Sequence, residues 1–428
     1  MAGKIIDLLE FDLRVAMLSY HTCPLATLGG KDTGGMNVYV KELAKQLGSM
    51  GIQVDVFTRS QDEHVPHVIH DLGYGNRVFH IPAGPELPAS KQQLAEYIPK
   101  FSEAVIRLVE EKGIRYDVIH SHYWMSGIAG IALKEAWGIP MVQMFHTLGL
   151  MKNRIAQLGE YEGDYRIRGE RQVLRNTEKV IAATVAELAQ LQWLYEAKTD
   201  NVRVVAPGVN LANFYPIPEE DAREYLSVPI CQRMLLFVGR IEPLKGVDTL
   251  IRSLAVLRDQ GSLKKHEVCL SIIGGDATVS EEEMSQEMSK LLDLREELGL
   301  EQVVTFLGKR AQDTLPYYYS AADVVVVPSH YESFGMVALE AMACGTPVVA
   351  SQIGGLAYLV QDGETGFHVR DQDPEALAAR LVEILDDPAL HEQMGKNAVD
   401  YAQNYSWQAI AEQVNEVYLE MLAERNSD

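Results

Sequence analysis

The sequence predicts an α/β protein of two Rossmann-like, doubly wound parallel-sheet domains with a cleft between them. Three observations lead there. Short β-branched apolar runs alternate with longer helical patterns. The runs are apolar almost throughout, as strands covered on both faces must be. The alternation also begins twice, on either side of a stretch rich in Pro and Asn at 204–218.

In the first series, strands are expected at 13–20, 52–58, 77–82, 116–120, 139–145 and 179–184, with a helix over 36–51 ending at glycine. In the second they are expected at 234–239, 268–274, 303–308, 323–328 and 346–351, with a helix over 247–261. The expected organisation is an N-terminal domain at 13–205, a C-terminal domain at 206–403, and a last helix within 404–428 packing back on the first domain. Open α/β sheets take ligands beyond the C-terminal strand ends, so the cleft is the expected site.

Composition narrows the function. With 38 Lys and Arg against 60 Asp and Glu among 428 residues, the net charge is −22. Such a surface repels nucleic acid and anionic lipid, which bind mainly through basic residues. An anionic ligand therefore needs a site built from a few placed cations and helix N-termini. Cys23, Cys231, Cys269 and Cys344 are scattered, so free thiols in a reducing cytoplasm are expected rather than a disulfide framework or a zinc site. There is no apolar run of membrane-spanning length and no signal peptide in the first residues, which also points to the cytoplasm.

Several short segments carry potential chemistry. Asp32-Thr33-Gly34-Gly35-Met36-Asn37 follows the first strand and opens a helix. That is either a cradle for negative charge or a tight turn needing glycine. In Gly239-Arg240-Ile241-Glu242-Pro243-Leu244-Lys245-Gly246, two cations leave a strand end; they suit a diphosphate leaving group or are solvated surface charges. In the segment from His330 to Glu340, Ser333-Phe334-Gly335 opens a helix whose apolar run contains Glu340. A carboxylate there needs a partner, either ribose hydroxyls or a structural ion pair. His120-Ser121-His122-Tyr123-Trp124 and His146-Thr147-Leu148 are placed at strand ends, where histidines either contact substrate or serve structure. The histidines at 120 and 122 lack a third ligand at metal-binding spacing, and His64, His67 and His70 lie in a polar stretch, so no metal is expected. Gly354-Gly355 is read as flexible backbone close to the cleft, or as a plain turn.

Taken together, DTGGMN, HSHYW, FHTL, GRIEPLKG, ESFGMVALEAMACGTPVVAS and GGL, in this order, resemble the retaining glycosyltransferases of family GT4, which have the GT-B fold. The first half looks most like the branch that acts on inositol phosphate, and the sucrose-phosphate branch is next. The resemblance implies a transfer of glucose or N-acetylglucosamine from a UDP-sugar to a small phosphorylated acceptor of the inositol phosphate or fructose 6-phosphate kind. It implies catalytic roles for Arg240, Lys245, Glu332 and His146, and donor contacts from Gly34, Gly35, Arg310, Ser333, Phe334, Gly335, Met336, Val337 and Glu340. Acceptor contacts are implied for His21, Asp32, Thr33, Met36, Asn37, Lys91, Tyr123, Thr147 and Arg166, the last four gripping the phosphate. No cofactor or metal is implied beyond the nucleotide-sugar cosubstrate, no nucleic acid or membrane partner is expected, and relatives are often homodimers. The segment at 85–93, the segment at 151–170 and the N-terminal extension depart from the inositol phosphate branch. A peripheral membrane transferase with a lipid acceptor and a GT-B nucleotide-sugar epimerase are the rival readings.

Overall fold

The computed structural model describes residues 13–27, 33–156, 161–226, 231–275 and 284–425. Among them, the first half contains β1 (Arg14–Leu18), β2 (Gln53–Arg59), β3 (Val68–Ile69), β4 (Arg77–Ile81), β5 (Val118–His122), β6 (Met141–Met144), β7 (Lys179–Ala182) and β8 (Val202–Val204). The second half contains β9 (Arg233–Val238), β10 (Val268–Ile273), β11 (Val304–Gly308), β12 (Val324–Val327), β13 (Val348–Ser351) and β14 (Gly366–Val369). The spatial orders are β3-β4-β2-β1-β5-β6-β7-β8 and β11-β10-β9-β12-β13-β14. All pairings are parallel except β3 with β4. The expected strands are all present. β3, β8 and β14 were not expected from the sequence, because runs of two to four residues carry too little periodicity.

Burial on both faces explains the strand composition. All four valines of β12 are buried, because helices cover both sides of the sheet. Each sheet has one place where the chain reverses its direction of growth. β1 lies between β2 and β5, and β9 lies between β10 and β12. At such a point the two connections diverge and leave a crevice at the strand's C-terminal end. The two crevices open into the same cleft.

The last helix, Trp407–Arg425, joins the halves. Its buried positions, Trp407, Ile410, Ala411, Val414, Val417, Tyr418 and Met421, fall at helical spacing. They enter an apolar core that also holds Val40, Leu43 and Leu47 from the first half and Leu339 and Met342 from the second. The Trp407 ring lies 5.3 Å from Tyr39, and the Tyr418 hydroxyl is 2.7 Å from Nδ1 of His120 on β5. Outside the core, Lys179 pairs with Glu424 at 2.7 Å and Arg203 with Glu420.

The cysteine expectation is corrected. Cys231 and Cys269 form a disulfide, with Cα atoms 5.9 Å apart. The two are 38 residues apart in sequence, and the pairing of Met234 with Cys269 brings them together. Cys23 and Cys344 are free. No described helix is long and apolar enough to cross a membrane.

Burial holds the His120 imidazole neutral, lowering its pKa to about 3, with His146 adding to the effect. Tyr418→Phe should therefore strand a buried ring nitrogen and cost about 1–3 kcal/mol. Urea unfolding measures this directly, and an unchanged midpoint would contradict the role given to the hydroxyl.

Candidate active site

The cleft is about 400 Å³ and is lined by loops from both sheets. From the first half come His21, Thr33, Gly34, Gly35, Met36, Asn37, Lys91, Tyr123, His146 and Thr147. The second half contributes Arg240, Lys245, Arg310, Glu332, Ser333, Phe334, Gly335, Met336, Val337 and Glu340. Of the residues singled out from the sequence, Asp32 lies outside the described residues, and Arg166 is not part of the lining.

Asn37 ties the start of its helix to the chain that follows β1. Its amide nitrogen donates to Thr22 Oγ1 and to the Cys23 carbonyl, both at 2.7 Å, and its oxygen accepts from the Gly34 N–H at 2.9 Å. Asn37 thus shapes the loop that meets the second domain. A side chain at Gly34 would lie 3.8 Å from the Arg240 guanidinium, and one at Gly35 3.3 Å from the Met336 sulfur. Gly35 lets backbone from one half approach the helix start of the other closely.

After β9 the chain turns through Pro243–Lys245 to Gly246, at φ 64°. A Cβ there would strike the Pro328 carbonyl, so glycine is required for this loop to pack against the end of β12. Lys245 Nζ then sits 2.6 Å from Glu332 Oε2, and Arg240 pairs with Glu242 at 2.7 Å. The helix Met336–Ala343 starts at the cleft, and its first-turn N–H groups have no acceptor within the helix. One turn further on, Glu340 is buried and accepts a hydrogen bond from the Tyr319 hydroxyl at 2.8 Å. Burial raises its pKa to about 7, against the lowering effect of that bond. Arg310 is steadied by the Tyr318 hydroxyl at 2.9 Å.

One expectation is corrected here. β5 extends to His122, so His120 and His122 are buried strand residues, not strand-end contacts. His122 Nδ1 meets His146 Nε2 at 3.0 Å and supports that ring from behind. Burial, followed by the charge of His21, lowers the His146 pKa to about 3, which leaves it neutral. Gly354 and Gly355 do not line the cleft; they pack beneath the loop at 332–334, with the Gly355 N–H donating to the Glu332 carbonyl at 3.0 Å. Arg166 is 1% exposed and already engaged. It reaches Glu170 at 2.8 Å, Glu162 at 2.6 Å, and the carbonyl and hydroxyl of Thr147 at 2.9 and 3.0 Å. Its guanidinium also lies 5.0 Å from the centroid of the Tyr123 ring.

The sequence reading passed over Lys152, Gly274, Gly275, Lys309 and Gln312, which also line the cleft. Gly274-Gly275 had a visible signal, since it follows β10 as Gly239 follows β9. A side chain at Gly274 would overlap the Gly239 carbonyl. Lys152 had no such signal, because a lysine on a short helix is ordinarily solvated.

Comparison with known proteins gives the family. The profile for "Glycosyltransferase Family 4" matches residues 33–213, and that for "Glycosyl transferases group 1" matches residues 219–400. The chain is 42% identical over 412 residues to a D-inositol 3-phosphate glycosyltransferase of Thermobispora bispora, covering 96% of this chain and 95% of that one. It is 41% identical over 408 residues to D-inositol 3-phosphate glycosyltransferase 2 of Catenulispora acidiphila, covering 95% and 94%. The structure of sucrose-phosphate synthase from Thermosynechococcus elongatus superposes with a TM-score of 0.87 at 36% identity, covering 96% of this chain and all of that one. Anabaena HepE, at 22% identity and a TM-score of 0.73 with 95% of this chain and all of that one covered, shares the fold. The chain belongs to the family 4 glycosyltransferases and is a hexosyltransferase of the GT-B fold.

Proposed function

We propose that the enzyme transfers glucose or N-acetylglucosamine from a UDP-sugar to a small phosphorylated acceptor, with retention at the anomeric carbon. The observation that carries this reading is one juxtaposition. Arg240 and the pair Lys245–Glu332 face Gly34, Gly35 and the start of the Met336 helix across a single cleft. Cations and free N–H groups aimed at one point suit a departing diphosphate, on which charge grows in the transition state.

In this reading the donor diphosphate lies between Arg240, Lys245 and the amides of Gly335, Met336 and Val337. The diphosphate draws Lys245 away from Glu332, which leaves that carboxylate beside the transferred sugar. His146 contacts the sugar as a neutral ring, Glu340 accepts from the ribose hydroxyls, and Arg310 flanks the uracil. The acceptor hydroxyl attacks from the face that the diphosphate leaves, and the departing phosphate takes its proton. Residues that meet the charge directly leave no catalytic task for a divalent cation. On the acceptor side, Lys91, Tyr123, Thr147 and Arg166 grip the phosphate beside His21, Thr33 and Met36. The names of the relatives and of the sucrose-phosphate synthase neighbour support a phosphorylated acceptor.

The decisive experiment crosses UDP-glucose and UDP-N-acetylglucosamine with inositol phosphate, fructose 6-phosphate and unphosphorylated inositol, in the presence of EDTA. Product with a phosphorylated acceptor and the donor's anomeric configuration, read by NMR, is expected. Inversion, dependence on added metal, or donor turnover without any acceptor each contradicts part of the proposal. Lys245→Ala should lower kcat by about 10²–10³-fold while the melting transition survives; near-normal turnover removes the residue from the mechanism. Because Glu340 takes up a proton below about pH 7, kcat/KM for the donor should fall as the pH drops through that value. Glu340→Gln should have a low kcat/KM and no such limb in its pH profile.

A further inference from the structure

The cations on the acceptor side are not waiting empty. Glu162 presents one carboxylate oxygen to Arg166 at 2.6 Å and to Lys152 at 3.3 Å. Its backbone is held as well. The Glu162 N–H donates to Asn153 Oδ1 at 2.6 Å, and the Asn153 amide donates to the Glu162 carbonyl at 3.1 Å. Burial favours the protonated acid, yet Arg166, Lys91 and Lys152 outweigh it and hold the carboxyl below its usual range. An oxygen anion therefore already occupies the position where these cations converge, next to Tyr123 and Thr147.

We propose that the Glu162 carboxylate is a placeholder for the acceptor's phosphate, displaced when a dianionic acceptor binds and retained against neutral ones. The inference rests on the acceptor reading above. Charge balance supports it. Lys91, Lys152 and Arg166 carry three positive charges, against the two negative charges of Glu162 and Glu170. With Glu162 in place the cluster is one positive charge in excess, which does not match a dianion. With Glu162 turned aside the excess is two, which a phosphate dianion neutralises. Glu170 cannot be the group that leaves, because it also accepts from the Gly149 N–H at 3.0 Å and from the Tyr195 hydroxyl. Glu162 makes no such second set of side-chain bonds among the described residues, and its side chain can rotate away while the Asn153 clamp holds the backbone. A neutral polyol offers nothing to replace the carboxylate on Arg166 and Lys152, so binding it would strand two cations. The device thus makes a phosphate on the acceptor a condition for entry.

Glu162→Gln keeps the shape and the backbone clamp but removes the competing charge. In the full-length protein it should lower the KM for the phosphorylated acceptor about tenfold, leave the donor KM as it was, and tighten binding of inorganic phosphate, measured by calorimetry, by a similar factor. Lys152→Met should move both quantities the opposite way. If Glu162→Gln leaves phosphate affinity and acceptor KM unchanged, or weakens them, the placeholder role is overturned while the acceptor reading stands. If the wild-type enzyme uses unphosphorylated inositol as well as it uses inositol phosphate, the acceptor reading itself fails and takes the inference with it.

Discussion

Parallel strands all end at the same edge of their sheet, and the rest of this molecule depends on that shared polarity. Each loop leaving β1, β9 or β12 emerges on the cleft side, carrying its glycines, cations and helix starts. The crevice beside β1 and the crevice beside β9 are products of strand order alone. Bringing the two crevices together lets loops from both sheets line a single cleft. Gly35 then lets the two rims approach closely, since a side chain there would crowd the Met336 sulfur, while Gly246 lets the loop after β9 pack against the Pro328 carbonyl at the end of β12.

Electrostatics accounts for the next layer. In a chain with net charge −22, several cations in or beside the cleft are paired with the chain's own carboxylates. Lys245 faces Glu332, Arg240 faces Glu242, and Arg166 with Lys152 faces Glu162. Partly buried cations without partners would repel one another and raise the energy of the folded state. Pairing removes that repulsion, and an anionic ligand can then exchange with a carboxylate at modest net cost. Glu340, where burial outweighs the bond from a tyrosine hydroxyl, has a raised pKa, while Glu162, where three cations outweigh burial, has a lowered one.

Behind the cleft, neutral histidines form a packed support. Tyr418 on the last helix touches His120, His120 stacks near His122 at 4.2 Å between centroids, and His122 meets His146 at the cleft wall. The helix that closes the chain is therefore in contact with the ring that faces the proposed donor sugar through two intervening residues. Its other contacts bury apolar surface on both halves, which explains why the last helix belongs to the core rather than to the surface.

The sequence by itself determined the two-sheet architecture, because apolar runs and helical spacing are local properties that neighbours along the chain reveal. It also determined the cation and glycine loops that line the cleft, where each motif is contiguous and follows a strand. The tertiary structure alone decided what the histidines at 120 and 122 do, since one or two more residues of strand turn a rim position into a core position. It likewise decided the Cys231–Cys269 bond, formed by strands whose pairing joins residues 38 apart, and the withdrawal of Arg166 from the cleft wall. Whether a charged side chain greets a ligand or a carboxylate of its own protein depends on distances between segments far apart in the chain. No local pattern encodes those distances; packing does.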